Sequence, residues 1–161
     1  LQAAQLVTDS NVLFLFVGGG SDKIRIQQLC EQMALKNVLF WNPSPPEFIA
    51  RLYNLALAGV STFRDSPLLE CTRPAKTLPI MASGKPVLFS SAGEGARLVE
   101  QAQAGIIVAP GDHIALAEAV RRLINDLAYA TQLGNNGRAY VEKHLKWSNI
   151  VATWLQQLPN I

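Results

Sequence analysis

The chain has 161 residues, a length that fits one domain burying about 70% of the surface its unfolded chain exposes. Hydrophobic residues make up 49% and charged residues 16%, which excludes a disordered chain because enough apolar surface exists to offset the ordering entropy. A net charge of +2 makes bulk attraction to nucleic acid weak, and the lack of a Lys/Arg run excludes a polybasic arm.

The first element, Val12–Val17, is apolar throughout, far too short to span a bilayer, and stops at three glycines. Such a run reads as a strand buried on both faces, as in a parallel sheet. Asp22 to Ala34 places apolar residues near helical period. Asn37–Trp41 reads as a second strand, closed by the Pro-rich turn at 42–46. Glu47 to Leu55 reads as a helix with Phe48, Leu52 and Leu55 on one face, and Leu57 to Phe63 as a third strand. After an irregular stretch from Arg64 to Ala75, Lys76–Ser83 is a short helix ended by Gly84. Lys85–Phe89 is the fourth strand, Gly95–Gln103 a helix and Gly105–Val108 the fifth strand. Asp112 is placed to cap the next helix, whose face of Ile114, Leu116, Ala117, Val120, Leu123 and Ile124 reads as core. The pattern then stays helical to Leu158, with breaks near Asp126 and Trp147. Trp41, Trp147 and Trp154 sit among apolar neighbours and read as core, with Trp41 also at the edge where a ligand would lie.

Strands alternating with helices argue for an α/β fold with a doubly wound parallel sheet, one domain over residues 1–161. Cys30 and Cys71 make neither a disulfide framework nor a metal-type spacing, so they read as free thiols. No charged, then apolar, then small-residue leader opens the chain. Because the first residue is Leu1 rather than Met, a piece of a longer protein is expected.

In a doubly wound sheet ligands bind at the carboxyl ends of the strands, which points to the loops at 18–23, 41–46, 63–76 and 90–95. Gly18-Gly19-Gly20-Ser21 lies between a strand and a helix, where glycines admit close backbone approach and the helix start favours an anion. It is neither the G-x-G-x-x-G pattern nor a P-loop, and a plain tight turn also accounts for it. Arg73 and Lys76 precede a short helix, where cations oppose the helix dipole. They therefore either neutralise something, such as a diphosphate, or are solvated charges. Ser90-Ser91-Ala92-Gly93-Glu94-Gly95 is a second small-residue turn whose amides and hydroxyls are available to the same anion. No nucleophile stands beside a base, and His113 and His144 read as surface histidines.

Lys76-Thr-Leu-Pro-Ile-Met-Ala-Ser-Gly-Lys-Pro-Val87 resembles the run K-L-x-E-Y-M-A-A-G-K-P-V of family 4 glycosyltransferases. Similar to that family, in the right order, are Glu94–Glu100, Ala104–Asp112, Ala115–Val120, Asn135–Val141 and the glycine turn of Phe16–Gly20. The resemblance implies a Rossmann-like domain, the C-terminal half of a GT-B fold, that binds a nucleotide-diphosphate sugar without cofactor or metal. It implies a retaining sugar transfer, of a type often building cell-surface polysaccharide, by a hexosyltransferase whose acceptor binds an N-terminal domain. That protein would be cytoplasmic, with peripheral association at the inner membrane face and no nucleic-acid partner. The 161-residue chain alone would transfer no sugar.

By position, Gly18, Gly19, Gly20 and Ser21 would face the phosphates or sugar, and Trp41 and Asn42 would flank the base. Arg73 and Lys76 would approach the diphosphate, and Gly93, Glu94 and Gly95 would close the site. No catalytic residue is assigned. The family's ribose-binding glutamate falls at Pro79, and its partner eight residues earlier falls at Cys71, one residue from Glu70. Leu1 to Val7 resembles the end of the helix after the family's first strand, so that strand is expected to be lacking. Pro79 keeps a non-catalytic glycosyltransferase-like module open as an alternative. A nicotinamide dehydrogenase is a further one, without its glycine fingerprint.

Overall fold

The computed structural model describes residues 1–8 and 11–157, so the expected helix end at Leu158 lies outside the described residues. In chain order the elements are α1 (Gln2–Leu6), β1 (Phe14–Val17), α2 (Lys23–Gln32), β2 (Val38–Trp41), α3 (Pro46–Leu55) and β3 (Gly59–Thr62). A 3-10 turn (Pro67–Cys71) leads to α4 (Thr77–Ala82), β4 (Val87–Ser90), α5 (Glu94–Gln101) and β5 (Gly105–Val108). The chain closes with α6 (His113–Asn125), α7 (Leu127–Tyr140), a wide π-type turn (Val141–Leu145) and α8 (Trp147–Gln156).

The helix boundaries follow local chemistry. Asp112 accepts from the Ala115 amide and Asp126 from the Tyr129 amide, both at 2.8 Å, so each carboxylate satisfies an orphan N–H where its helix begins. Gly84, at φ +68°, ends the α4 segment in the left-handed region. A Cβ at Gly134 would lie 2.1 Å from the Gly84 carbonyl oxygen. Only glycine there lets α7 press onto that turn.

β4 is the centre of the molecule. All four of its residues are buried, and its pleat divides them between two cores. Val87 and Phe89 join Ile80 and Met81 of α4 and Leu98 and Val99 of α5. Leu88 joins Val7, Ala117 and Leu123 of α6, and Leu133 of α7. Helices thus cover both faces, as a doubly wound sheet requires, and each large side chain so buried contributes about 1.5–3 kcal/mol.

Pairing is parallel throughout, but the strands fall into two sheets: β1 with β2, and β3-β4-β5. Among the described residues nothing pairs with the far edge of β1 or β3. This corrects the expectation that the first strand is buried on both faces: Leu15 and Phe16 are each 38% exposed. The reason is lateral, since a strand without a neighbour on one side also lacks the helices that would cover it. The tryptophans depart from expectation too. Trp147 is 78% and Trp154 58% exposed, because α8 buries none of its residues, and Trp41, at the end of β2, is 45% exposed. Ile114, in the first turn of α6, is likewise exposed, while Ala117, Val120 and Leu123 are core as expected.

Candidate functional site

The glycine turn after β1 cannot be built from other residues. Gly18 and Gly20 have φ of +137° and +133°, where L side chains are strained. A Cβ at Gly19 would meet Pro43 Cγ at 3.3 Å, so this turn lies directly against the turn after β2. A lysine fastens the two. Lys23, the first residue of α2, donates from Nζ to the Gly18 carbonyl at 3.0 Å, the Trp41 carbonyl at 3.2 Å and Asn42 Oδ1 at 3.3 Å. Three donors on one ammonium meet three acceptors, which offsets its unfavourable place at a helix start. Trp41 stacks on Phe48 of α3 with ring centroids 6.0 Å apart, leaving part of the indole open to solvent. Arg25 grips Asp22 through both carboxylate oxygens, at 2.6 and 2.9 Å. Those hydrogen bonds hold the Asp22 carboxyl below the usual carboxylate range, and Arg64, beyond the end of β3, adds to the effect through space.

The second group forms around α5. Gly93 precedes it at φ +80°, and a Cβ at Gly95 would strike Phe89 at 2.5 Å and Pro74 at 2.8 Å. These two glycines bring the start of α5 against the strand end and against the 64–76 segment. Arg73 Nη2 lies 2.6 Å from Glu94 Oε1. Arg97 Nε stands 3.7 Å from the other Glu94 oxygen, and its Nη2 donates to the Glu70 carbonyl at 3.0 Å with the Glu70 carboxylate 3.9 Å away. The Arg73 hydrogen bond holds the Glu94 carboxyl below its ordinary range. Lys76 places Nζ 5.3 Å from the centroid of the Phe63 ring, a cation–π contact, and makes no ion pair among the described residues. The hydroxyl of Ser90 donates to the Ala109 carbonyl at 3.2 Å, and that of Ser91 is buried with no hydrogen-bond partner among the described residues.

Two clusters are therefore assembled at strand ends: Gly18, Trp41 and Asn42 through Lys23, and Arg73, Glu94 and Gly95 through the arginine–carboxylate network. The cations at the start of α4 oppose its dipole, and the structure supplies partners for both, Glu94 for one and an aromatic face for the other. Pro79 is exposed in the first turn of α4. Lys23, Phe63, Arg64 and Arg97 are the residues that sequence reasoning missed. Lys23 carries the same signal that singled out Arg73 and Lys76, a cation at a helix start. Among the described residues, no three His, Cys, Asp or Glu side chains come together in the way a metal site needs.

The family model for glycosyl transferases group 1 matches residues 1–126. The chain belongs to this glycosyltransferase family. An uncharacterised glycosyltransferase of Methanocaldococcus jannaschii is 26% identical over 141 residues, covering 87% of this chain and 35% of the relative. Sucrose-phosphate synthase from Thermosynechococcus elongatus superimposes with a TM-score of 0.81 at 29% identity, over 96% of this chain and 39% of that one. Anabaena HepE, solved in complex with UDP-glucose, matches with a TM-score of 0.79 at 22% identity, over 98% of this chain and 44% of that one. The fold is thus that of the C-terminal domain of GT-B glycosyltransferases, and the chain spans less than half the length of each of these relatives. Among the described residues no helix is long and apolar enough to cross a membrane.

Proposed function

We propose that this domain binds a nucleotide-diphosphate sugar and supplies the donor side of a retaining glycosyltransferase acting in cell-surface polysaccharide or glycoconjugate synthesis. The observation that carries the reading is the placement of Arg73 on Glu94 of the 93–95 turn and of Lys76 over Phe63, at the strand ends where a doubly wound sheet takes its ligand. HepE, with UDP-glucose in its own structure, supports the class of ligand. Cations and turn amides aimed at a leaving diphosphate stabilise the charge that develops as the glycosidic bond to the nucleotide breaks. The glycine turn at 18–20 and the Trp41–Asn42 turn would hold sugar and base. The acceptor would come from a second domain, and since transfer needs both reactants held together, the chain alone would bind donor without turnover.

A calorimetric titration with UDP, GDP, ADP and NAD tests this. One nucleoside diphosphate should bind selectively, and Arg73→Ala or Lys76→Ala should weaken it by about 1–3 kcal/mol, the range for charge-assisted hydrogen bonds. Unchanged affinity in both variants would make them ordinary surface charges. Binding of none of the four favours the second reading, a non-catalytic module. The observation behind that reading is Pro79, which has neither carboxylate nor N–H where the resemblance places the ribose ligand.

A further inference from the structure

The anion position at Arg73 already has an occupant. Glu94 is the first residue of α5, so its carboxylate sits where a helix start favours negative charge, and it lies 2.6 Å from Arg73. The same carboxylate is flanked by Arg97 at 3.7 Å, and Arg97 is shared in turn with Glu70. Two guanidinium groups and two carboxylates make this cluster neutral. A diphosphate meeting it with both carboxylates in place would find its net positive charge on Lys76, which stands over the Phe63 ring. Nothing mechanical locks the pair: both side chains are more than a third exposed, and the contact is a single oxygen on a single nitrogen.

We propose that Glu94 is an internal stand-in for the donor's diphosphate, holding Arg73 in the empty domain and leaving it when a phosphate arrives. This rests on the donor-binding reading above, and it gives Glu94 a role opposite to that of a ligand: it competes with the donor instead of contacting it. Displacement costs one exposed ion pair, which is small, and exchanges it for contacts to a more highly charged group. While the donor is absent, the carboxylate keeps stray anions off Arg73. When the nucleoside diphosphate departs, the carboxylate returns to Arg73 and speeds its release.

The test is a double-mutant cycle on the whole chain, read by calorimetry with UDP, GDP and ADP, and with inorganic pyrophosphate as a base-free probe. Glu94→Gln keeps the shape and removes the charge. It should tighten binding roughly three- to tenfold, and that gain should vanish in the Arg73→Ala background, because the competition is for Arg73. A gain that persists without Arg73 would mean only a weaker negative field, and would overturn the proposal. An unchanged or weakened affinity in Glu94→Gln would mean that Glu94 positions Arg73 for its ligand, which overturns the proposal while donor binding stands. Tightening toward pyrophosphate with no nucleotide bound would sink the donor reading and leave the anion stand-in in place. Binding of neither class would overturn both.

Discussion

Pro79 stands where the resemblance to family 4 glycosyltransferases places a ribose-binding carboxylate, and the structure shows that a carboxylate would be accommodated. The helix begins at Thr77, so residue 79 lies in its first turn, where neither an N–H nor its loss disturbs the ladder. Its side chain is exposed, and an acidic residue there suits the dipole. Pro79→Glu is therefore expected to fold with a stability change below about 1 kcal/mol. It should strengthen nucleotide binding by about 1.5–3 kcal/mol and create a preference for ribose over 2′-deoxyribose forms. A wild type that already rejects the deoxy analogue would show that another group holds the sugar. Glu70 is the first to examine, although Arg97 engages it here. Glu94 yields a prediction independent of any ligand. Its carboxyl titrates below the ordinary range because Arg73 hydrogen-bonds its charged form. The pair's contribution to stability is thus present above the unfolded carboxyl's pKa and fades as pH falls through the lowered folded value. Carboxyl-carbon NMR should place Glu94 below ordinary glutamates, and Arg73→Ala should raise it toward them. The melting temperature should barely move, because the pair is solvent-screened. A Glu94 titration insensitive to Arg73 would mean that the pair does not persist in solution.

At the scale of elements, Lys23 does for two loops what a cap does for one helix. Its ammonium joins the end of β1 to the end of β2, reaching a carbonyl 18 residues further along the chain. Lys23→Met keeps the stem and removes the three donors. The turn after β2 should then loosen, seen as faster chymotrypsin nicking after the exposed Trp41, with a stability loss of about 1 kcal/mol and partial rescue by Lys23→Arg. Equal nicking rates in all three proteins would show that the glycine and proline turns hold themselves. What sequence could and could not supply here is instructive. Asp112 and Gly84 act within four residues of themselves, so spacing alone gives their roles, whereas at Asp126 it gives the break and the structure adds the cap. The Arg73–Glu94 pair joins residues 21 apart through two glycine-permitted approaches, and nothing local announces it. Composition and position marked these stretches as turns at strand ends, while the partner of each charge depended on how the turns were brought together. The apolar helix α8 shows the opposite failure. Its tryptophans read as core, yet whether an apolar face is covered is a property of its neighbours and not of its own periodicity.

Across the whole molecule, the alternation of strands and helices fixed the fold class, and β4 with its two cores realises it. The unpaired edges of β1 and β3 carry a consequence for the solvent's view of the backbone. Phe14 and Gly18 direct their amides to β2, donating to Asn37 and Trp41, so period-two geometry turns the amides of Leu15 and Val17 the other way. In β3, Gly59 and Phe63 donate toward β4, which turns Val60 and Thr62 outward. Deuterium uptake resolved to single residues should therefore read like a comb along both strands. Leu15, Val17, Val60 and Thr62 should exchange on the timescale of loops, their neighbours orders of magnitude more slowly, and every amide of β4 slowest of all. Uniform protection along β1 and β3 would mean that another backbone pairs with those edges in solution, and the teeth of the comb would mark its register.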